Sequence, residues 1–206
     1  MRNRALVLAV LFWAMPVGVA TAPPVAADEV VEQLDAGRAY YQDGDLSRAL
    51  TELEFAVNAL RTQFSNEFIA TLPAPPALWA AEKPALDNGV ALFGTGVMVT
   101  RRYLEEKGDG RITAELLVDS PMVQAYSAVF RNPVMIANDP KLERIRLGEL
   151  HALLKWDADR RSGDLTLSLG GRVLAKLAGR DLDDKTILVD LMKAWDLDAV
   201  KQVAGL

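Results

Sequence analysis

The feature that most restricts the fold of this chain is a change of hydrophobic period near residue 73. Upstream, apolar residues recur every three or four positions: Leu46, Leu50, Leu53, Val57, Leu60, Phe64 and Phe68. That spacing lines one face of an α-helix, whereas strand side chains alternate with period two. Downstream of residue 88 the apolar residues do alternate, in short runs broken by Gly-Asp, Gly-Glu and Gly-Gly pairs, the chemistry of hairpin turns. Between the two regimes stand Pro73, Pro75, Pro76 and Pro84, which neither a helix interior nor a central strand accommodates. The chain past residue 27 therefore divides into a helical segment at 28–72, a Pro-rich linker at 73–88 and a strand-rich domain at 89–206.

In the helical segment the first helix is expected from Glu29 to Gln42, with Val30, Val31, Leu34 and Ala39 toward one side. Asp43-Gly44-Asp45 is a turn signal. The second helix begins near Leu46 and reaches Leu72, about 40 Å at the helical rise, until Pro73 ends it. Leu34 to Leu60 resembles one tetratricopeptide repeat. Gly37 and Tyr40 fall at the small and aromatic positions of its first helix, and Gly44 falls at its turn. Ala49, Leu53 and Ala56 match the small, large, small pattern of its second helix. The resemblance implies a helical hairpin used for protein interaction. Solenoids bury a continuous core only over about three repeats. A single hairpin must therefore lay its seam (Leu53, Val57, Leu60, Phe64, Phe68) on the following domain, on a second copy, or on a protein partner.

The strand-rich domain reads as successive hairpins. Val97–Lys107 pairs with Gly110–Val118 through a Gly108-Asp109 turn, a register that sets Arg102 opposite Glu115 and Glu106 opposite Arg111. Val99 and Tyr103 then share the core face with Ile112, Ala114, Leu116 and Val118. Arg101 intrudes there, either into a pocket beside Tyr103 and Leu116 or outward at the sheet's edge. Ser120-Pro121 opens a helix with an apolar stripe of Met122, Val123, Tyr126, Val129 and Phe130, closed at Asn132-Pro133. Leu142–Leu147 pairs with Leu150–Trp156 across Gly148-Glu149. Asp164–Leu169 pairs with Val173–Leu177 across a three-residue Gly170-Gly171-Arg172 loop, because a two-residue loop would set Leu165 against Lys176. Asp181 caps a last helix whose buried stripe is Ile187, Leu188, Leu191, Met192 and Trp195, with one or two further turns at Leu197–Val203. The expected fold class is α+β: a helical hairpin, then an antiparallel sheet of about six strands with two helices on one face and water on the other.

Residues 1–27 carry the marks of an export signal. A basic Met1-Arg2-Asn3-Arg4 precedes an apolar run from Ala5 to Ala14, and Val25-Ala26-Ala27 before Asp28 offers a cleavage site; Ala20-Thr21-Ala22 is a second. The rival is a retained membrane anchor, against which stand Pro16, Pro23 and Pro24. The expected compartment is the periplasm or the exterior, with membrane association only if the signal is kept. Cysteine is absent, so the core forms without disulfides, and thiolate metal sites and lipid anchoring through an N-terminal cysteine are excluded. A formal charge of −5 opposes nucleic acid as a partner.

The chemistry-bearing motifs are few. His151 is the sole histidine, and no G-x-S-x-G accompanies it. Gly94-Thr95-Gly96 lacks the remainder of a phosphate loop. Asp157, Asp159 and Asp164 crowd one loop, but Arg161, Ser162 and Ser168 stand where a calcium loop needs an oxygen donor, a glycine and a glutamate. No cofactor is expected, and an enzymatic reading has no motif beneath it. One cluster remains. If Leu147 pairs with Leu150, the face opposite the core carries Arg144, Arg146, His151 and Lys155, and Lys176 joins them if the last hairpin lies alongside. Such a group suits an anionic ligand or an acidic partner, or serves as a solvated face that discourages aggregation.

Overall fold

The computed structural model of the protein describes residues 25–86, 96–130 and 139–206. The expected signal lies outside them except for residues 25–27, as do Gly94-Thr95 and Asn132-Pro133. Two helices, α1 (Val25–Gln42) and α2 (Leu46–Thr71), form the hairpin. Two short strands follow, β1 (Trp79–Ala81) and β2 (Ala85–Leu86), and then β3 (Val97–Glu105) and β4 (Arg111–Val118). Helix α3 (Pro121–Phe130) precedes β5 (Leu142–Leu147), β6 (Leu150–Asp157), β7 (Ser162–Leu169) and β8 (Val173–Arg180). Helices α4 (Thr186–Ala194) and α5 (Leu197–Ala204) close the chain.

The class is α+β. All strands join one antiparallel sheet in the order β1-β3-β4-β8-β7-β6-β5, with β2 also pairing β3. The alternating sequence explains the sheet. Inward positions carry Val99, Tyr103, Ile112, Leu116, Leu154, Leu165, Leu167 and Leu177, all buried. Against them pack Phe68 and Leu72 of the hairpin end and Leu188, Met192, Trp195 and Val200 of the terminal helices. The β5–β6 register sets Leu147 opposite Leu150, and the β7–β8 register sets Leu169 opposite Val173, both as the side-chain pattern requires.

Four expectations need correction. First, the β3–β4 register is shifted by two residues: Thr100 faces Glu115, Arg102 faces Thr113 and Leu104 faces Arg111. The Glu105 N–H donates to the Gly110 carbonyl at 2.9 Å, and the Gly110 N–H donates to the Glu105 carboxylate at 3.2 Å. The hairpin thus closes at 105/110 around a longer loop. A two-residue slip keeps every side chain on its face, so the core side is unchanged while the charges find other partners. Arg102 pairs with Glu82 at 2.8 Å, and Arg111 pairs with Asp181 at 3.1 Å.

Second, α3 does not share a face with α4 and α5. Its Val123 and Tyr126 pack on the opposite side with Leu117, Leu174 and Met98. Those three apolar residues occupy outward positions and need cover of their own. Third, α4 starts at Thr186, later than Asp181 suggested. Asp181 stands at φ +55° and is occupied by Arg111, while the Asp184 carboxylate accepts from the Thr186 N–H at 2.6 Å. Fourth, Val31, Leu34 and Ala39 of α1 are exposed, and among the residues of that helix whose burial is described Val30 and Gly37 are buried. Within the proline-rich stretch, β1 and β2 extend the sheet beyond β3, with Trp79 opposite Glu105 and Ala85 opposite Thr100.

Candidate functional site

The hairpin is built on small residues. A Cβ on Gly37 would lie 3.0 Å from the Leu53 Cγ and 3.4 Å from the Ala49 carbonyl oxygen, so glycine at 37 lets the two helices approach closely. Ala49 and Ala56 are buried on the α2 side of that contact. The Asp45 carboxylate accepts from the Arg48 N–H at 3.1 Å and caps α2. The Arg48 guanidinium stands 5.6 Å from the centre of the Tyr40 ring.

Helix α2 is buried unevenly along its length. Phe68 is 0% exposed, and its ring meets that of Phe64 edge-on, 4.8 Å between centres. This end belongs to the main core. The other end carries the same helical spacing but is left largely open by the described residues, apart from the α1 contact at Gly37. Leu50 is 62% exposed, and Leu46, Leu53, Val57 and Leu60 are exposed with it. On α1, Leu34 and Tyr41 are exposed too. In each helix the exposed residues lie in the same rotational sense from the interhelical contact, and the helices run antiparallel. That combination brings both sets to one side of the hairpin, where they form an apolar ridge. Of the expected seam, Leu53, Val57 and Leu60 lie on the ridge, Phe64 is half-buried, and Phe68 belongs to the core. The sequence reading missed Tyr41, and it missed Phe55, which is exposed on the far side of α2.

The basic group on the sheet is assembled by register. Arg146 faces His151, Arg144 faces Leu153, Leu153 faces Thr166, and Thr166 faces Lys176. Two of its five residues are engaged by acids. Lys176 lies 3.6 Å from Glu115 and 3.7 Å from Asp164, and Lys155 lies 3.3 Å from Asp139. Burial pushes the Lys176 pKa down, but Glu115 and Asp164 outweigh it and hold the ammonium above the ordinary lysine value. Arg144, Arg146 and His151 have no carboxylate partner among the described residues; Arg146 Nε donates to the Gly148 carbonyl at 2.9 Å. Asp157, from the crowded acidic loop, pairs with Lys141 at 2.6 Å. Among the described residues, no three His, Asp or Glu side chains gather as a metal site.

Arg101 takes a course between its two expected ones. Its Nε donates to the Glu82 carbonyl at 3.2 Å, and its guanidinium stands 5.8 Å from the Tyr103 ring centre. The Tyr103 hydroxyl donates to the Pro73 carbonyl at 2.7 Å. Burial pushes the Tyr103 pKa up to about 12, with Arg101 opposing the shift. This pair ties the proline-rich stretch to the sheet. A separate open cleft of ≈ 370 Å³ lies between the β5–β6 turn and the α4–α5 junction, lined by Leu147, Leu150, Trp195, Asp196 and Lys201 among others.

No protein-family model, curated protein or solved structure matches this chain. The tetratricopeptide resemblance rests on the residues of Leu34 to Leu60 alone.

Proposed function

We propose that the protein is an exported interaction protein, periplasmic or secreted, that docks a protein partner or a second copy through the ridge of its helical hairpin. The sheet and its terminal helices form the body that presents the hairpin. The observation that carries this reading is the exposure of five helically spaced apolar residues, Leu46, Leu50, Leu53, Val57 and Leu60, with Leu34 and Tyr41 on the same side. A continuous apolar surface of this kind is unfavourable in water and favours association. The missing chemistry agrees with it, since one histidine and no cysteine leave few routes to catalysis.

The test is site-specific photocrosslinking in the producing cell. A crosslinker at Leu50 or Val57 is expected to yield a discrete adduct, and one at Arg102 on the sheet is not. Silence at both ridge positions sinks the docking reading. N-terminal sequencing of the recovered protein is expected to start at Asp28, and a chain held in the cytosol sinks the exported part of the proposal. A second reading, a small anion held on the sheet, is favoured by Arg144, Arg146 and His151 standing together without carboxylate partners among the described residues. It requires that anions raise Tm in the native protein and fail to do so in Arg146→Ala.

A further inference from the structure

Strand β5 ends the sheet, and its hydrogen-bonding phase is determined. The Trp156 N–H donates to the Lys141 carbonyl at 3.0 Å, which makes Lys141 and Trp156 a bonded pair. Bonded pairs recur at every second position of an antiparallel ladder. With the observed register they are Glu143–Leu154, Ile145–Ala152 and Leu147–Leu150. Leu142, Arg144 and Arg146 therefore turn their N–H and C=O groups away from β6, toward the margin. The Leu142 N–H is taken by the Asp139 carbonyl at 3.0 Å. The N–H and C=O groups of Arg144 and Arg146, four in all by this phase, have no backbone partner among the described residues.

The side chains above those groups define what fits them. Arg144 and Arg146 project from one face, next to His151. The residue between them, Ile145, is half-buried on the core face. A second copy of β5 laid along this margin would set arginine against arginine, which disfavours self-pairing. A strand with carboxylates two residues apart and an apolar residue between them matches both faces. We propose that β5 is a docking edge for an extended acidic segment of a partner protein, added as a further strand through the main chain of Arg144 and Arg146. Its carboxylates lie over the two guanidinium groups and its intervening apolar side chain lies beside Ile145. Main-chain bonds hold such a strand, and alternate side chains select it. This site is separate from the hairpin ridge and does not depend on it.

The experiment titrates the purified protein with the blocked peptide Val-Glu-Val-Asp-Val, with its Lys-for-acid counterpart, and with the acidic peptide N-methylated at the residues whose N–H groups would pair. Backbone amide NMR shifts provide the readout. The acidic peptide is expected to bind and to move the amides of Arg144 and Arg146, and N-methylation is expected to abolish binding. The double variant R144E/R146E is expected to weaken the acidic peptide about tenfold, each exposed pair contributing a few-fold, and to gain affinity for the lysine peptide. Equal binding of the N-methylated peptide overturns strand addition and leaves only charge attraction. Binding of neither peptide at millimolar concentration, together with self-association of R144A/R146A, overturns the proposal and makes the two arginines guards of the edge.

Discussion

The two ends of α2 carry the same pattern of apolar residues and meet opposite fates. Around Phe68 the seam is sealed in the core. Around Leu50 it is open, although Leu50 and Phe68 differ little in the surface they offer for burial. What separates them is the rest of the chain. The sheet and α5 reach only the C-terminal part of α2, while α1 occupies the flank formed by Ala49 and Ala56. A helical period therefore declares a face that wants cover and does not say what covers it.

The strongest way to break this contrast is truncation at each end. Phe68→Ala is expected to cost about 3–5 kcal/mol, the range for emptying a sealed aromatic site. Leu50→Ala is expected to stay within about 0.5 kcal/mol, as surface changes do. Urea unfolding measures both, and similar costs would erase the distinction. Leu46→Asp combined with Leu60→Asp, with the crosslinker kept at Leu50, sharpens it further: Tm should hardly move while the crosslinked adduct disappears.

The next effect concerns the tie between the buried end and the sheet. Tyr103→Phe leaves the Pro73 carbonyl without its donor and is expected to cost about 1–3 kcal/mol. It also tests linkage. The Tyr103 pKa is raised on folding, so its contribution is complete below the ordinary tyrosine value near 10 and is lost as pH rises toward 12. Stability of the native protein should fall through that window, and the fall should be shallower in Tyr103→Phe.

A smaller effect lies at the β7–β8 loop. Arg172 donates to both oxygens of Asp119, at 2.8 and 2.7 Å, and to the Ala204 carbonyl at 3.1 Å. The hydrogen bonds from Arg172 hold the Asp119 carboxyl below the ordinary carboxylate range. Its contribution is present above that range and is lost as pH falls below it. Because the pair is substantially exposed, Asp119→Asn should cost no more than about 1 kcal/mol at neutral pH. Acid titration should show the difference vanishing.

Much of this architecture was legible in the residues, and the failures share a cause. The β5–β6 and β7–β8 registers followed from alternation, because a one-residue slip would have turned leucines to water. The β3–β4 register slipped by two, since a two-residue slip is invisible to alternation and was decided by how Glu105 closes on Gly110. The basic group was readable as residues sharing a face. Glu115 reaches Lys176 from β4, which lies beside β8 through a pairing distant in sequence, and no local pattern announced it.

The sequence by itself determined the long helices, the main strands, the β5–β6 and β7–β8 turns and which side of those strands faces the core, because all of these follow from short-range periodicity and turn chemistry. Only the tertiary structure decided which half of the long helix is covered, which cations keep acidic partners and which strand stands at the margin. Those outcomes depend on contacts between segments far apart along the chain, and spacing within a segment carries no record of them.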